Sequence, residues 1–224
     1  MKKFIETLKN IWSIKELRDK IVFTVSLLAI FRLGSFIVLP GVVPSVLKNA
    51  ASDSSNSLFG LINTYTGGAF NQASIFALGI MPYITSSIIV QLLGFAVPYF
   101  QRLQQKEGES GRRKLNQITR IFTVFITLVQ GGGYLTYIQS LGAVDASVSP
   151  FVFWFSNSII LATGTIFCMW LGERITDKGI GNGVSMIIMI GIVAALPGAF
   201  SFEIQSQLAN NGLIIFIFEL VILF

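Results

Sequence analysis

The charges of this chain keep out of six long stretches. The runs near 21–39, 75–97, 117–138, 151–171, 180–197 and 213–224 are almost wholly apolar. A helix crosses the hydrocarbon core of a bilayer with about 20 residues at 1.5 Å rise each, and most of these runs reach that length. Charged residues make up 12% of the chain and hydrophobic ones 53%, roughly half the usual charged share of a soluble domain. The expected fold class is therefore an all-α polytopic membrane protein. It would have five transmembrane helices, TM1 at 21–39, TM2 at 75–97, TM3 at 117–138, TM4 at 151–171 and TM5 at 180–197. The run at 213–224, interrupted by Glu219, reads as the start of a sixth.

The placement of cations orients these spans. Lys2, Lys3, Lys9, Lys15, Arg18 and Lys20 fall in residues 1–20. Arg102, Lys106, Arg112, Arg113, Lys114 and Arg120 fall in or beside a basic loop at 98–116, and Arg174 and Lys178 in a loop at 172–183. The alternate loops hold Lys48 alone. By the positive-inside rule the N-terminus and the basic loops are cytoplasmic. The N-terminal segment lacks the short apolar core and small-residue cleavage site of a signal peptide. Phe4, Leu8, Ile11 and Trp12 share one helical face instead, which predicts an amphipathic helix on the cytoplasmic membrane surface. Arg32 is the exception, a cation near the middle of TM1. Either it snorkels or bonds to neighbouring backbone, or it lines a water-filled path.

Two segments carry features that an anchor does not need. In ALGIMPYITSSIIVQLL, Ala77 to Leu93, Gly79 and Pro82 predict a helix break, and Thr85, Ser86, Ser87 and Gln91 offer polar groups to a cavity. Ahead of it, LFGLINTYTGGAFNQAS at 58–74 is too polar and short to span, and it contains the pair Gly67-Gly68. A half-inserted helix ending in a glycine break fits it. Non-helical backbone survives at membrane depth only under cover of protein or beside a water cavity, so this piece belongs inside a funnel. Ile80, Ile84 and Ile88 recur at spacing four, as do Ile188 and Ile192. They are ordinary packing residues, or they form an apolar constriction that seals by dewetting. Composition does not choose between these.

Catalytic constellations are missing from the pattern. The chain has no His and one Cys, Cys168, which excludes His-based triads, zinc sites and an internal disulfide framework. Cys168 reads as a small packing residue. Glu107 and Glu109 lie in a charged, glycine-containing loop and read as solvated. DKGIGNG resembles a nucleotide-binding glycine pattern but follows a membrane span rather than a strand, so a tight turn starting TM5 is the better reading. Arg112-Arg113-Lys114 reads as a topology determinant, with docking to an RNA-rich partner as the other reading. No cofactor is expected.

SIFALGIMPYITSSIIVQLL and WLGERITDKGIGNGVSMIIM, with KEGESGRRK and FRLGSFI between and before them, resemble the signatures of the SecY family of protein-conducting channels, in that family's order. The resemblance covers the chain from about residue 10 and only the first half of a typical member, the first half of an inverted-repeat fold. It implies a channel subunit, not an enzyme, in the bacterial cytoplasmic (inner) membrane. It implies that Ile80, Ile84, Ile188 and Ile192 contribute to a pore ring. Residues 58–72, with Leu58, Phe59, Leu61, Ile62, Gly67 and Gly68, would form a plug over the external funnel. TM2 would be one side of a lateral gate, with Gln91 and Gln130 in its polar cluster, each such hydrogen bond worth about 1 kcal/mol. The implied partners are SecE, SecG, SecA, the ribosome, signal sequences and nascent membrane proteins, the lipid bilayer and a C-terminal half. The rival reading is one repeat of an inverted-repeat secondary transporter. Such transporters place ionisable groups in the membrane, and here the spans offer only Arg32 and Glu219. A structural insertase subunit without a pore is a third.

Overall fold

The structure is a computed structural model that describes residues 12–47, 58–105 and 108–209. Phe4, Leu8 and Ile11, Lys48, Glu107 and the run at 213–224 lie outside them, as do the side chains of Leu58, Phe59 and Leu61. The named helices are α1 (Lys15–Gly34), α2 (Leu58–Tyr65), α3 (Met81–Ala96), α4 (Pro98–Gln105), α5 (Gly108–Ser140), α6 (Pro150–Lys178) and α7 (Gly183–Ala209). The core of the fold packs α5 between α3 and α6, with α1 and α7 against the other side of α6.

Helix ends depart from the apolar runs in two ways. The charged flanks are helical. α5 begins at Gly108 and has 33 residues, roughly 50 Å at 1.5 Å per residue, well beyond the hydrocarbon core. α6 continues to Lys178 through most of the expected loop at 172–183. The expected loop at 98–116 contains α4, bent 101° from α3. Arg120 of α5 grips Glu173 of α6 through two bonds of 3.2 and 2.7 Å. A partly exposed pair of this kind contributes little to stability.

Apolar residues also leave the helices. α1 stops at Gly34, not near 39. The next residues run extended beside the connector between α2 and α3: Leu39 N–H donates to the Ala73 carbonyl at 2.7 Å, and Ile75 N–H to the Ile37 carbonyl at 2.9 Å. α3 likewise begins at Met81, with 75–80 in turns. Gly79, at φ +52°, closes those turns, and Pro82 sits in the first turn of α3. There its missing N–H costs nothing, since the first amides of a helix have no internal partner. Pro82 therefore starts a helix rather than breaking one. The break lies ahead of it.

Phe76 of the connector sits between two helices where glycine leaves room. A Cβ on Gly34 would collide with the Phe76 ring, and one on Gly164 would collide with the Ile75 carbonyl oxygen. Phe31 and Phe167 stack on Phe76 with centroids 5.7 and 5.8 Å away. Around this ring lie Leu27, Ile80, Cys168, Leu171, Ile175 and Ile187, all buried. A second core holds Leu39, Phe70, Ala77, Leu135, Ile138 and Phe153. Outward faces are apolar too: Phe95, Ile121 and Phe151 are 78%, 70% and 77% exposed, the pattern of helices whose solvent is lipid.

At the other end, the glycine-rich turn ties three helices. Ile180 N–H donates to Thr24 Oγ1 of α1 at 3.1 Å, Gly183 N–H to Thr176 Oγ1 of α6 at 2.9 Å, and Ser185 N–H to Asn182 Oδ1 at 3.2 Å. Gly181 takes φ +72°. Among the described residues, α5 and α6 are long and apolar enough to cross a membrane by themselves, and the bent pair α3–α4 counts as a third if it is one span. The apolar part of α7 is shorter, Gly183–Gly198. α1 carries Lys15, Glu16, Arg18, Asp19 and Lys20 in its first turns.

Gly164→Val should lower the thermal midpoint of the purified protein, by an overpacking cost of about 1–3 kcal/mol. Gly133→Ala, where an added Cβ meets nothing within 4 Å, should not lower it. Equal midpoints for the two variants, read by a thermal unfolding scan in detergent, would refute the close approach at Gly164.

Candidate functional site

The distinctive site is the passage from α2 to α3, residues 66–80, which is neither helix nor surface loop. α2 ends at a glycine pair with φ +63° at Gly67 and +88° at Gly68, conformations that side chains with a Cβ resist. Its end rests on α7. A Cβ on Gly67 would come within 2.9 Å of Gly191 Cα, and a Cβ on Gly191 within 2.7 Å of the Tyr65 carbonyl oxygen. The two glycines let a helix end and a helix flank meet backbone to backbone.

Beyond the pair the connector is buried and bonded. Ala69, Ala73, Ser74 and Ala77 are at most 1% exposed. Tyr134 of α5, itself buried, donates its hydroxyl to the Phe70 carbonyl at 2.6 Å, and its ring meets the Phe70 ring at a tilt of 49° with centroids 4.7 Å apart. Asn71 N–H donates to Asn63 Oδ1 at 3.0 Å and Phe76 N–H to Ser74 Oγ at 3.1 Å. On the opposite side Arg32 of α1 donates from Nη1 to the Gly67 carbonyl at 2.6 Å, its guanidinium 4.8 Å over the Phe36 ring. Of the two readings of Arg32, the structure displays the bond to backbone, and the backbone is that of the connector.

The four isoleucines are not placed alike. Ile80 at the end of the connector, Ile84 of α3 and Ile188 of α7 join one apolar cluster with residues of α1 and α6. Ile80 is 4% exposed, its Cδ1 3.4 Å from where a Gly172 Cβ would stand. Ile84 and Ile188 are half-buried, and Ile192 is 39% exposed. Ile88, the third of the spacing-four series on α3, is 51% exposed.

The two glutamines line different cavities. Gln130 borders a space of about 460 Å³ with Ile62, Leu78, Met81, Thr85, Tyr134 and others. Gln91 borders a separate one of about 280 Å³ with Tyr83, Ser87, Asn182 and Ser185, and its Nε2 donates to Ser87 Oγ at 3.2 Å. The polar side chain of α3 that shares a cavity with Gln130 is Thr85, not Gln91. The polar run in TM2 pointed to Thr85, but only the register of α3 against α5 pairs it with Gln130. Glu109, outside the site, forms an i,i+4 pair with Arg113 at 2.7 Å.

A family model described as SecY matches residues 74–224 of the chain. The chain is 44% identical over 212 residues to the protein translocase subunit SecY of Buchnera aphidicola subsp. Schizaphis graminum, and 45% identical over 192 residues to that of Escherichia coli K12. These alignments cover 93% and 85% of the chain but 48% and 43% of the relatives; the chain spans about half the length of the curated proteins it matches. Two solved structures share the fold at 20% identity and a TM-score of 0.59, each over 86% of this chain. One is Sec61 in the canine ribosome-channel complex from the endoplasmic reticulum, covered over 42%, and the other a protein-conducting channel, covered over 41%.

Tyr134→Phe keeps the ring contact and removes the shorter of the two bonds to the Phe70 carbonyl, which retains only Ala73 N–H at 3.2 Å, at a cost of about 0.5–1.5 kcal/mol. The expected result is a lower thermal midpoint and faster amide exchange at 69–75 by mass spectrometry. Unchanged exchange there would show that the hydroxyl does not anchor the connector.

Proposed function

The chain belongs to the SecY family, and we propose that it forms the N-terminal half of the channel subunit of a Sec translocase, a conduit and not an enzyme. In this reading five spans cross the cytoplasmic membrane of a bacterium with the N-terminus inside, and the fold is the first half of an inverted repeat. The channel passes unfolded preproteins across the membrane and releases apolar segments sideways into lipid. It needs no cofactor. Force comes from SecA or from a ribosome extending the chain, SecE clamps the two halves, SecG lies beside this one, and a C-terminal half closes the pore.

The observation that carries this reading is the buried, non-helical connector 66–80 with α2 docked on α7. An anchor has no use for irregular backbone at membrane depth, whereas a channel needs a closure that can leave. α2 and the glycine pair are the plug, with Leu58, Phe59, Leu61 and Ile62 on its helix and Gly67 and Gly68 at its end. The isoleucines form this half's share of the pore waist. Ile84, Ile188 and Ile192 keep side-chain surface free to meet a passing chain, and Ile80 backs them from the core. Apolar side chains grip nothing in particular, so they seal around any sequence and hold back ions when idle. Gln130 with Thr85 stands on the α3–α5 wall and Gln91 with Ser87 nearer the cytoplasm. Together they are this half's contribution to a weakly biased gate.

In a complete channel, Ile84→Gly or Ile188→Gly should raise ion conductance of the resting state several-fold in planar bilayers. Val at either position, similar in bulk, should stay near the parent. Conductance unchanged by glycine would remove these residues from the waist.

A further inference from the structure

We propose that Arg32 is the latch of the plug: its guanidinium holds the Gly67 carbonyl at the pivot on which residues 58–65 swing. The inference rests on reading α2 as the plug and adds what holds it shut.

The pivot follows from which bonds are fixed. From Ala69 to Ala77 the connector is buried except for the half-buried Asn71, Gln72 and Ile75, and it is tied on two sides, to residues 37–39 after α1 and to Tyr134 of α5. That stretch has no freedom to move with α2. Motion then enters at Gly67-Gly68, the glycine pair of positive φ between α2 and that stretch, where glycine permits large changes of backbone angle. Neutral bonds and one charged bond act there: Gly68 N–H donates to the Asn63 carbonyl at 2.9 Å and Phe70 N–H to Thr66 Oγ1 at 3.3 Å. Asn63 Oδ1 accepts from Asn71 N–H at 3.0 Å, a neutral bond within the segment. Arg32 reaches in from α1 and bonds the Gly67 carbonyl itself at 2.6 Å. A charged donor makes the stronger bond, and here it comes from a helix that stays put.

The contact also explains why an arginine is tolerated at this depth. A charge in a span is costly unless paired or hydrogen-bonded, and the guanidinium is half-buried, with a carbonyl at one edge and the Phe36 ring beneath it. When the plug leaves, the partner leaves with it, so the cost returns as a bias toward closure. Thr64 and Thr66 are not latches of this kind: their hydroxyls donate to carbonyls of α2 itself, and the Phe70 N–H that Thr66 Oγ1 accepts at 3.3 Å belongs to the same segment.

The test uses the complete channel complex in three forms: parent, Arg32→Met, and a deletion of residues 58–65. Spin labels at Thr64 and Asp145 report the position of the plug, and planar-bilayer conductance reports its effect. Arg32→Met should raise the open fraction about tenfold, the worth of one charge-assisted bond, and add a second distance population. The deletion should leak at least as much. If the deletion leaks while Arg32→Met matches the parent in both readouts, the latch is overturned and the plug stands. If the deletion does not leak, the plug reading itself falls and the latch with it. Should Arg32→Met fail to assemble, Arg32→Gln, uncharged and too short to span the contact, is read against the same two outcomes.

Discussion

Inside a bilayer no water is at hand for a backbone amide, so irregular backbone must find every partner in the protein. The connector 66–80 is where this chain meets that demand, and much of the fold is arranged to satisfy it. α1 ends at Gly34 so that residues 37–39 can run beside the connector and exchange bonds with Ala73 and Ile75. Tyr134 and Arg32 supply side-chain donors to carbonyls that have no helical partner. Gly34, Gly164 and Gly191 forgo side chains so that helices can close over it. The cost is backbone entropy at each glycine; the result is a segment that is non-helical yet rigid.

That rigidity has a functional consequence. A plug that swung with its whole connector would open holes in the core around Phe76 and Phe70. With 69–80 fixed, α2 is joined to the rest by a short glycine hinge, by the Asn63–Asn71 bond, by Ile62 against the Phe70 core and by its contact with α7. On the proposed reading the moving part is small, and among the described residues the apolar cluster that includes Ile80, Ile84 and Ile188 contains none from α2. In the proposed channel, closure and seal would then be separable devices on neighbouring elements.

The helical class and the family were legible in composition and in two long signatures. Element boundaries were less so, for a physical reason: residues 35–39 and 75–80 are as apolar as any span, because backbone buried in protein and backbone facing lipid call for the same side chains. Charge misled in the other direction. The basic flanks at 108–116 and 172–178 read as loops, although helices continue well past the membrane surface. Pairings were hidden altogether. Arg32 bonds a carbonyl 35 residues downstream, and Thr85 rather than Gln91 shares a cavity with Gln130. Both depend on helix register, which no local pattern records.

The claim that this chain is half of a protein-conducting channel is tested most directly by complementation. The chain is co-expressed with a matching second half in bacterial cells depleted of their own SecY, and export of a preprotein is followed by pulse-labelling. The account predicts restored export only when both halves are present. Both halves stably inserted and associated, with the preprotein still retained in the cytoplasm, would contradict it.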